Sequence, residues 1–457
     1  MSLDNPFLRG VSMHLQGNDD GAGFGVKGTS LNNTGVLGKS KNGAGVFGSS
    51  IGARWLKPLY HFTRLSALLT IALVVAGAKA QANGFYPGER IGAVSRSTDT
   101  LDVFTVDWFA APWHASWDPS PKGWQGWYDI HVSNVHVSNG CSVNSVTAVS
   151  PTTGEFDLFT VDDNGYVYRG LGTVAGFYGW SQIGPLVVGP YSYVSAVSRS
   201  TGKFDLFTVD ENGRVWTFSS STSLWFPLPG IQASGGTPMA AASPVTDEID
   251  IFVVDANGKL QASWWAPYLA GWTSWQQIGG VQLNPGAPVT AISRGSGQLE
   301  LFVTDVNGNI QTTTVYPSFT FTTSGHPIFF GWVIGGWKSI GVAAPGATVT
   351  GVSRHPGQLD IFVVWNQQVW TQGSPSLSAG FNINSWRQIA GLTTWEGSAV
   401  TAVSRSLEKL DVFVIGFDNN LWTGAWEPDF VQPAADAGVS DWHVFQVKPP
   451  LGLPAYY

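Results

Sequence analysis

Seven copies of one sequence phrase cover most of this chain. Each copy reads close to Ala-Val-Ser-Arg, followed by a short turn, an apolar residue, an acid, an apolar residue and Phe. The acids of the seven copies are Asp102, Asp157, Asp205, Asp250, Glu300, Asp360 and Asp411. The first and the last are 309 residues apart over six intervals, which is a period near 51. A repeat of this length predicts a ring or array of similar units, so it constrains the fold before any local pattern does.

Each copy predicts four antiparallel strands. The Ala-Val-Ser run is the first strand, and the run that follows the acid is rich in β-branched residues and Phe, which favour a second strand. Asn-Gly pairs then mark a tight hairpin in four copies, at Asn164-Gly165, Asn212-Gly213, Asn257-Gly258 and Asn307-Gly308. Four strands per unit at this period are typical of a propeller blade. The sequence therefore predicts an all-β, seven-bladed β-propeller over residues 84–447, with a C-terminal tail at 448–457.

The first 53 residues are a different kind of sequence. A ten-residue Gly-rich repeat begins at Gly25, Gly35 and Gly45. This pattern predicts three rungs of a small β-solenoid, which bury little apolar surface by themselves and would need a partner chain, as in a homo-oligomer. A flexible Gly-rich leader is the alternative.

Residues 54–83 resemble a secretory signal peptide. Basic residues at Arg54, Lys57 and Arg64 precede an apolar run over 65–77, and Ala78-Lys79-Ala80 has the form of a cleavage site. The run is shorter than the ~20 residues that span a bilayer, so no stable membrane span is expected. A secreted, extracellular protein is predicted, and an uncleaved anchor is the alternative.

The low charge excludes nucleic acid as a partner, and the repetition of the acids argues against catalysis. Charged residues are 12% of the chain and the net charge is −8, so there is no basic field for nucleic acid. An active site needs groups in distinct roles in one pocket, whereas the seven acids repeat one position. We expect these acids to pair with the Arg of their own blade, at Arg96, Arg199, Arg294, Arg354 and Arg405. The sequence shows no metal-ligand spacing and predicts neither an enzyme nor a cofactor.

The 22 tryptophans fall into two sets. One set recurs in the fourth strand and predicts packing between blades: Trp127, Trp180, Trp275, Trp337, Trp386 and Trp442. The other set lies at Trp-x-Pro turns in only some blades, at Trp117, Trp265 and Trp426, with Tyr316-Pro317 as a near copy. An indole at a surface turn is a platform for the C–H face of a sugar ring. These turns are the predicted ligand sites.

The repeats, the Asn-Gly hairpins and the blade endings of the Trp-x-x-Ile-Gly type resemble the Photorhabdus-lectin-like (PLL-type) bacterial lectins over residues 84–447. The resemblance implies a non-enzymatic seven-bladed propeller that binds fucose or O-methylated sugars in shallow pockets between blades, without a metal. The residues that it implies for sugar binding are Trp117, Trp265, Trp426 and Tyr316, with Arg96, Arg199, Arg294, Arg354 and Arg405 as polar partners. Blades 2, 3 and 6 lack the Trp-x-Pro turn. A structural or adhesion propeller that binds proteins is the alternative function.

Overall fold

The structure is a computed structural model. It describes Phe85 and residues 91–107, 111–120, 122–130, 146–190, 192–269, 271–295, 297–321, 327–374, 376, 380–427 and 442–447. The predicted Gly-rich leader at 1–53, the signal-like segment at 54–83 and the tail at 448–457 lie outside the described residues.

The first three repeat copies form three four-stranded sheets. Blade 1 consists of β1 (Gly92–Val94), β2 (Leu101–Val106), β3 (Pro112–Pro119) and β4 (Lys122–Asp129). Blade 2 consists of β5 (Thr147–Val149), β6 (Glu155–Val161), β7 (Tyr166–Thr173) and β8 (Gly176–Val187). Blade 3 consists of β9 (Val194–Ser200), β10 (Lys203–Val209), β11 (Val215–Ser219) and β12 (Leu224–Leu228).

The remaining copies form blades 4 to 7. Blade 4 has β13 (Ala240–Ala242), β14 (Ile249–Val254), β15 (Leu260–Trp265) and β16 (Gln276–Gln277). Blade 5 has β17 (Thr290–Gly295), β18 (Gln298–Thr304), β19 (Asn309–Phe321), β20 (Pro327–Ile334) and β21 (Lys338–Val342). Blade 6 has β22 (Thr350–His355), β23 (Gln358–Trp365), β24 (Gln368–Ser374) and β25 (Arg387–Thr393), and blade 7 has β26 (Thr401–Ser406), β27 (Lys409–Ile415), β28 (Leu421–Trp426) and β29 (Trp442–Gln446).

Every sheet is an antiparallel meander, as predicted from the repeat. Strands follow chain order within each sheet, except that long β19 pairs with both β20 and β21 in blade 5. The first strands of successive blades adjoin one another, and β1 adjoins β26, so the blades form a closed ring. The predicted seven-bladed propeller is confirmed, and within the described residues it contains no helix that is long and apolar enough to cross a membrane.

The second strand of each blade is the centre of the fold. In blade 1, all six residues of β2 are buried, including Asp102. Burial on both faces is explained by the seven hydrophobic clusters of the described residues, each of which joins two adjacent blades. A strand covered on both sides favours a nearly continuous apolar run. The conserved spacing of Phe in the seven copies places one ring in each interface, at Phe104, Phe159, Phe207, Phe252, Phe302, Phe362 and Phe413.

In five of the blades, a tryptophan in or next to the last strand ties the blade to the one before it. The Trp180 indole Nε1 donates to the Ile130 carbonyl at 2.8 Å, and Trp386 Nε1 donates to the Ile340 carbonyl at 2.6 Å. The same bond is made by Trp127, Trp225 and Trp337. The predicted packing role is confirmed, and Trp225, which the sequence pattern did not single out, has it in blade 3.

Hydroxyl groups make a second set of inter-blade bonds near the ring axis. The residue just before the Ala-Val-Ser run donates its hydroxyl to a carbonyl that precedes the next blade, as for Thr147 to Val194 at 2.6 Å and Thr350 to Val400 at 2.5 Å. Thr401 makes the corresponding bond from blade 7 to the Ile91 carbonyl of blade 1 at 2.6 Å. This bond lies at the junction where the ring closes.

We expect Thr401→Val to lower the free energy of unfolding by about 1 kcal/mol, because it removes one hydrogen bond and leaves the Ile91 carbonyl unpaired. Urea unfolding followed by fluorescence measures the change. Thr350→Val is the matched control at the junction of blades 6 and 7, and a similar loss is expected. A cost for Thr350→Val together with none for Thr401→Val would contradict the closure described above.

Candidate functional sites between blades

The hairpin between the first and second strands contains one residue with positive φ in every blade. Four blades have glycine there, at Gly154, Gly202, Gly297 and Gly357, with φ of 85°, 70°, 74° and 87°. Blades 1, 4 and 7 instead have Asp99, Asp247 and Glu408, with φ of 62°, 62° and 61°. A residue with a Cβ is disfavoured in this conformation by about 1–2 kcal/mol. The three acids therefore occupy positions where the backbone favours glycine, and this is typical of a functional constraint.

The same three blades carry a tryptophan at one register position of the third strand. Trp117 pairs with Leu101, Trp265 with Ile249 and Trp426 with Leu410. In the other four blades this position holds Gly172, Ser220, Val315 and Ser374. All three indoles are half-buried. The acid and the tryptophan thus occur together or not at all.

An arginine of the preceding blade lies over each of these tryptophans. The guanidinium carbon is 5.1 Å from the ring centroid for Arg199 over Trp265 and 4.4 Å for Arg354 over Trp426. For Arg405 over Trp117 it is 5.6 Å. These distances are within the ~6 Å range of cation–π interactions. The tryptophan therefore completes a site that two blades share.

The hairpin acid contacts the same arginine from the tryptophan's blade. Glu408 Oε2 is 2.8 Å from Arg354 Nη1, and Asp247 Oδ1 is 3.4 Å from Arg199 Nε. Asp99 Oδ1 is 3.9 Å from Arg405 Nε. We call these three places the 3/4, 6/7 and 7/1 sites, after the blades that form them, and the end of the ring where they lie the arginine face.

Each site has a buried cation beside a more exposed carboxylate. The Arg354 side chain is 8% exposed and Glu408 is 41% exposed. Among the described residues, Asp360 and Glu408 take three of the five N–H donors of Arg354. The site therefore offers further donors, a carboxylate acceptor and an indole face. This set suits a neutral ring that has both hydroxyl groups and an apolar face.

Two of the rim carboxylates, Asp247 and Asp99, are held in the ionised form. A hydrogen bond from Ser200 is the main cause that lowers the pKa of Asp247, and Lys203 at 3.3 Å adds to it. Burial alone would raise the pKa of Asp99, but the hydrogen bond and charge of Lys409 at 2.8 Å lower it. In the 6/7 site, His355 Nε2 lies 2.8 Å from Glu408. At neutral pH the two aspartates are hydrogen-bond acceptors.

The structure brings together six of the nine predicted site residues. These are Trp117, Trp265, Trp426, Arg199, Arg354 and Arg405. Arg96 instead pairs with Asp102 and Asp118 of its own blade and faces a blade that has Gly154 and Gly172. Arg294 lies 5.6 Å from the ring of Phe381, next to a hairpin with Gly357.

Tyr316 lies outside the pattern for a register reason. The equivalent of the three tryptophans in blade 5 is Val315, which pairs with Leu299. Successive residues of a strand point to opposite faces, so Tyr316 points the other way and is 39% exposed. In the Trp-x-Pro turns the aromatic ring is two residues before Pro, whereas Tyr316 is one residue before Pro317.

The sequence prediction missed Asp99, Asp247 and Glu408. A signal for them is present, since each lies three residues after the Arg or Pro of its phrase, where the other four copies have glycine. An acid at a position that is glycine in the other copies predicts a residue with positive φ, and the backbone strain indicates that the side chain has a function.

Six of the seven repeated acids pair with an arginine of their own blade, whereas both carboxylate oxygens of Asp250 are buried without a hydrogen-bond partner among the described residues. Arg294 Nε is 2.9 Å from Glu300, Arg354 Nε is 2.7 Å from Asp360, and Arg96, Arg199 and Arg405 pair with Asp102, Asp205 and Asp411. Blades 2 and 4 have Pro in place of the Arg. In blade 2, Arg169 pairs with Asp157 at 2.7 Å instead. In blade 4, burial raises the pKa of Asp250 well above its usual range.

Comparison with known proteins shows the fold. No family model and no curated protein matches the chain. The BP39L lectin from Burkholderia pseudomallei is similar with a TM-score of 0.57 and 21% identity, over 76% of this chain and 98% of that one. The fucose-specific lectin from Aleuria aurantia gives 0.43 and 16% over 67% and 95%, and AofleA from Arthrobotrys oligospora gives 0.46 and 13% over 68% and 89%. The similarity to BP39L agrees with the propeller that the sequence resemblance implied.

Asp411, next to Arg405 of the 7/1 site, makes stability depend on pH. Burial, opposed by the charge of Arg405, raises its pKa to about 7. The ordinary value is about 3.9, so between these values the folded protein holds a proton that the unfolded chain has lost. The free energy of unfolding therefore falls as pH rises through this window.

We expect Asp411→Asn to flatten that dependence, because the amide is neutral at every pH. Thermal unfolding midpoints across the window measure it, with Asp247→Asn as a control that leaves the slope unchanged, because the pKa of Asp247 is lowered. Parallel profiles for the wild type and Asp411→Asn would contradict the assignment.

Proposed function

We propose that this protein is a non-enzymatic carbohydrate-binding protein with three binding places, the 3/4, 6/7 and 7/1 sites. One observation carries the proposal. Among seven similar blades, the half-buried tryptophan and the strained hairpin acid occur in the same three, each facing an arginine of the preceding blade. Ring packing does not require this association, because four interfaces form without it.

The chemistry of these sites favours a neutral saccharide. The indole stacks on the C–H face of a pyranose, the guanidinium donates to ring or hydroxyl oxygens, and the carboxylate accepts from hydroxyl groups. Each cation is already paired with acids, so an anionic ligand gains little there. Fucosylated or O-methylated glycans are the proposed class on the sequence resemblance, because their methyl groups match an indole. The name of BP39L as a lectin supports saccharide binding in general.

The repeated carboxylates support a binding function without turnover. Asp205, Glu300 and Asp360 lie in ion pairs with the arginine of their own blade. A typical glycoside hydrolase needs two carboxyl groups with different roles around one bond. Here one acid position repeats in every blade, and six of its seven copies lie in structural ion pairs.

Several weak sites on one rigid ring give avidity for a surface that carries many glycans.

Export is part of the proposal, because residues 54–83 have the layout of a secretory signal. Mass spectrometry of the native protein tests it: a mature N-terminus near residue 81 supports export, and an intact residue 1 contradicts it.

Calorimetric titration with methyl α-L-fucoside and methylated fucosides tests the number of sites. Trp117→Ala, Trp265→Ala and Trp426→Ala should each remove one of three sites, because each deletes the stacking surface of one site only. Each loss of stacking is expected to weaken its own site by roughly tenfold or more. The triple variant should show no binding at the arginine face.

Tyr316→Ala is the control, because Tyr316 is exposed outside the pattern. Its stoichiometry should equal that of the wild type. Unchanged stoichiometry in the folded triple variant, or the absence of binding to any fucosylated or methylated glycan in the wild type, would refute the proposal. A propeller that binds proteins would then be the better explanation.

Asp247→Gly should separate stability from binding. Glycine relieves the positive φ, which is worth about 1–2 kcal/mol, but it also removes the carboxylate that Ser200, Lys203 and Arg199 contact. The free energy of unfolding should therefore change little, while the 3/4 site loses its acceptor and its affinity. Denaturant unfolding and titration of the same samples measure both properties. The reverse substitution Gly202→Asp is the matched control: it should cost stability and create no site, since Ser220 stands where the tryptophan would be. Unchanged affinity at the 3/4 site in Asp247→Gly would contradict the role assigned to the acid.

A further inference from the structure

The end of the ring opposite the arginine face carries the hairpins between the second and third strands. In most blades an aspartate caps this hairpin, as Asp210 does by accepting bonds from the Asn212 and Arg214 amides, both at 2.9 Å. The same capping position is Asp107, Asp162, Asp255 and Asp305 in blades 1, 2, 4 and 5. Blades 6 and 7 depart from this rule: Gly416 takes the position in blade 7, where Asp418 caps the hairpin, and Trp365 takes it in blade 6.

A carboxylate from a different segment caps the hairpin of blade 6. Asn366 and Gln367 have φ of 50° and 64°, and the Gln367 amide donates to Glu396 Oε2 at 2.8 Å. Glu396 belongs to the linker between blades 6 and 7, and the Thr394 amide of that linker donates to the Gln367 carbonyl at 3.1 Å. The hairpin keeps a cap while an indole replaces the usual aspartate.

A cavity of about 510 Å³ opens at this place. It is lined by Ala343, Ala344, Trp365, Asn366, Gln367 and Glu396. Ala344 starts a turn whose equivalents in other linkers are Gly189, Ser234, Asn284 and Trp395, each accepting the same i to i+3 backbone bond. The Ala344 side chain leaves space here that a side chain such as Asn284 or Trp395 would take. The volume is in the ordinary range of small-molecule sites.

The charge of this cavity differs from that of the arginine face. There, Asp99, Asp247 and Glu408 each lie within 4.0 Å of an arginine and of a second cation or imidazole. Here no lysine or arginine lines the cavity, and Glu396 has no ion pair among the described residues. A carboxylate without an ion pair and an indole form an electronegative surface, which attracts cations through charge and through the π-face.

We propose that this cavity binds an organic ammonium group, with Trp365 as the aromatic surface and Glu396 as the counter-charge. A quaternary ammonium such as a choline headgroup and the protonated amine of an amino sugar share this chemistry. The site shares no residue with the 3/4, 6/7 and 7/1 sites, so it goes beyond the proposed saccharide binding and gives the ring a second, electrostatically distinct face.

Fluorine NMR of the full chain labelled with 5-fluorotryptophan tests the proposal, with the Trp365 resonance assigned from Trp365→Phe. The probes are choline and glucosamine, each paired with a neutral analogue, 3,3-dimethylbutan-1-ol and N-acetylglucosamine. Choline, glucosamine or both should shift the Trp365 resonance with a dissociation constant of about 1–10 mM, whereas the neutral analogues should not. Which cation binds identifies the source of the ammonium group.

Two variants make the result specific. Glu396→Gln keeps an oxygen that accepts from the Gln367 amide but removes the charge, so affinity should fall about tenfold. Ala344→Arg fills the cavity without deleting a contact and should abolish the shift, while Asn284→Arg, at the equivalent turn between blades 4 and 5, should leave it intact.

Equal shifts with the neutral analogues, unchanged affinity in Glu396→Gln or no shift with either cation would overturn the proposal. The folded triple variant of Trp117, Trp265 and Trp426 should retain the Trp365 response. If its response is lost, the effect is transmitted from the arginine face and the assignment is wrong.

Discussion

The structure depends on one packing constraint: every blade must bury both faces of its sheet against two neighbours. The second strand satisfies this constraint with a continuous apolar run, and each of the seven hydrophobic clusters of the described residues is shared by two blades. Directional bonds then set how blades meet, as when the Trp180 indole donates to the Ile130 carbonyl across an interface. The ring is closed because the last interface, between blades 7 and 1, uses the same packing as the others.

This repeated packing also creates the candidate sites. An arginine held by the acid of its own blade, as Arg354 is by Asp360, lies at the edge of the interface and reaches the next blade. What it meets there is free to vary, because Gly172, Ser220 and Val315 fill the tryptophan position in other blades without opening the ring. Function can therefore differ from blade to blade while the core stays constant. The packing that all blades share holds Asp247 and Glu408 at positive φ despite the backbone strain.

The two ends of the ring differ in whether their acidic side chains have cationic partners. On the arginine face, every rim acid of the three sites has a cationic partner, which suits neutral ligands with many hydroxyl groups. At the opposite end, Trp365 stands in the hairpin of blade 6 where other blades have the capping aspartate, and Glu396 from the following linker caps that hairpin instead. A carboxylate and an indole therefore line one cavity. The two kinds of candidate site therefore differ in electrostatic character.

The residue pattern is sufficient to predict the fold and six of the residues at the candidate sites. The repeat specifies seven four-stranded units, because an apolar phrase that recurs about every 51 residues can bury its surface only against copies of itself. Which of the predicted residues meet depends on the packing of one blade against the next. Arg96 and Arg294 have the same phrase as Arg354, but their neighbours across the interface are glycine or Phe381 rather than a tryptophan and an acid. Tyr316 resembles the Trp-x-Pro motif because it is an aromatic residue near a proline. It lies one residue past the tryptophan position, however, so its side chain is on the opposite face of the strand. Sites between blades join segments 44 to 310 residues apart, and only the ring brings those segments into contact.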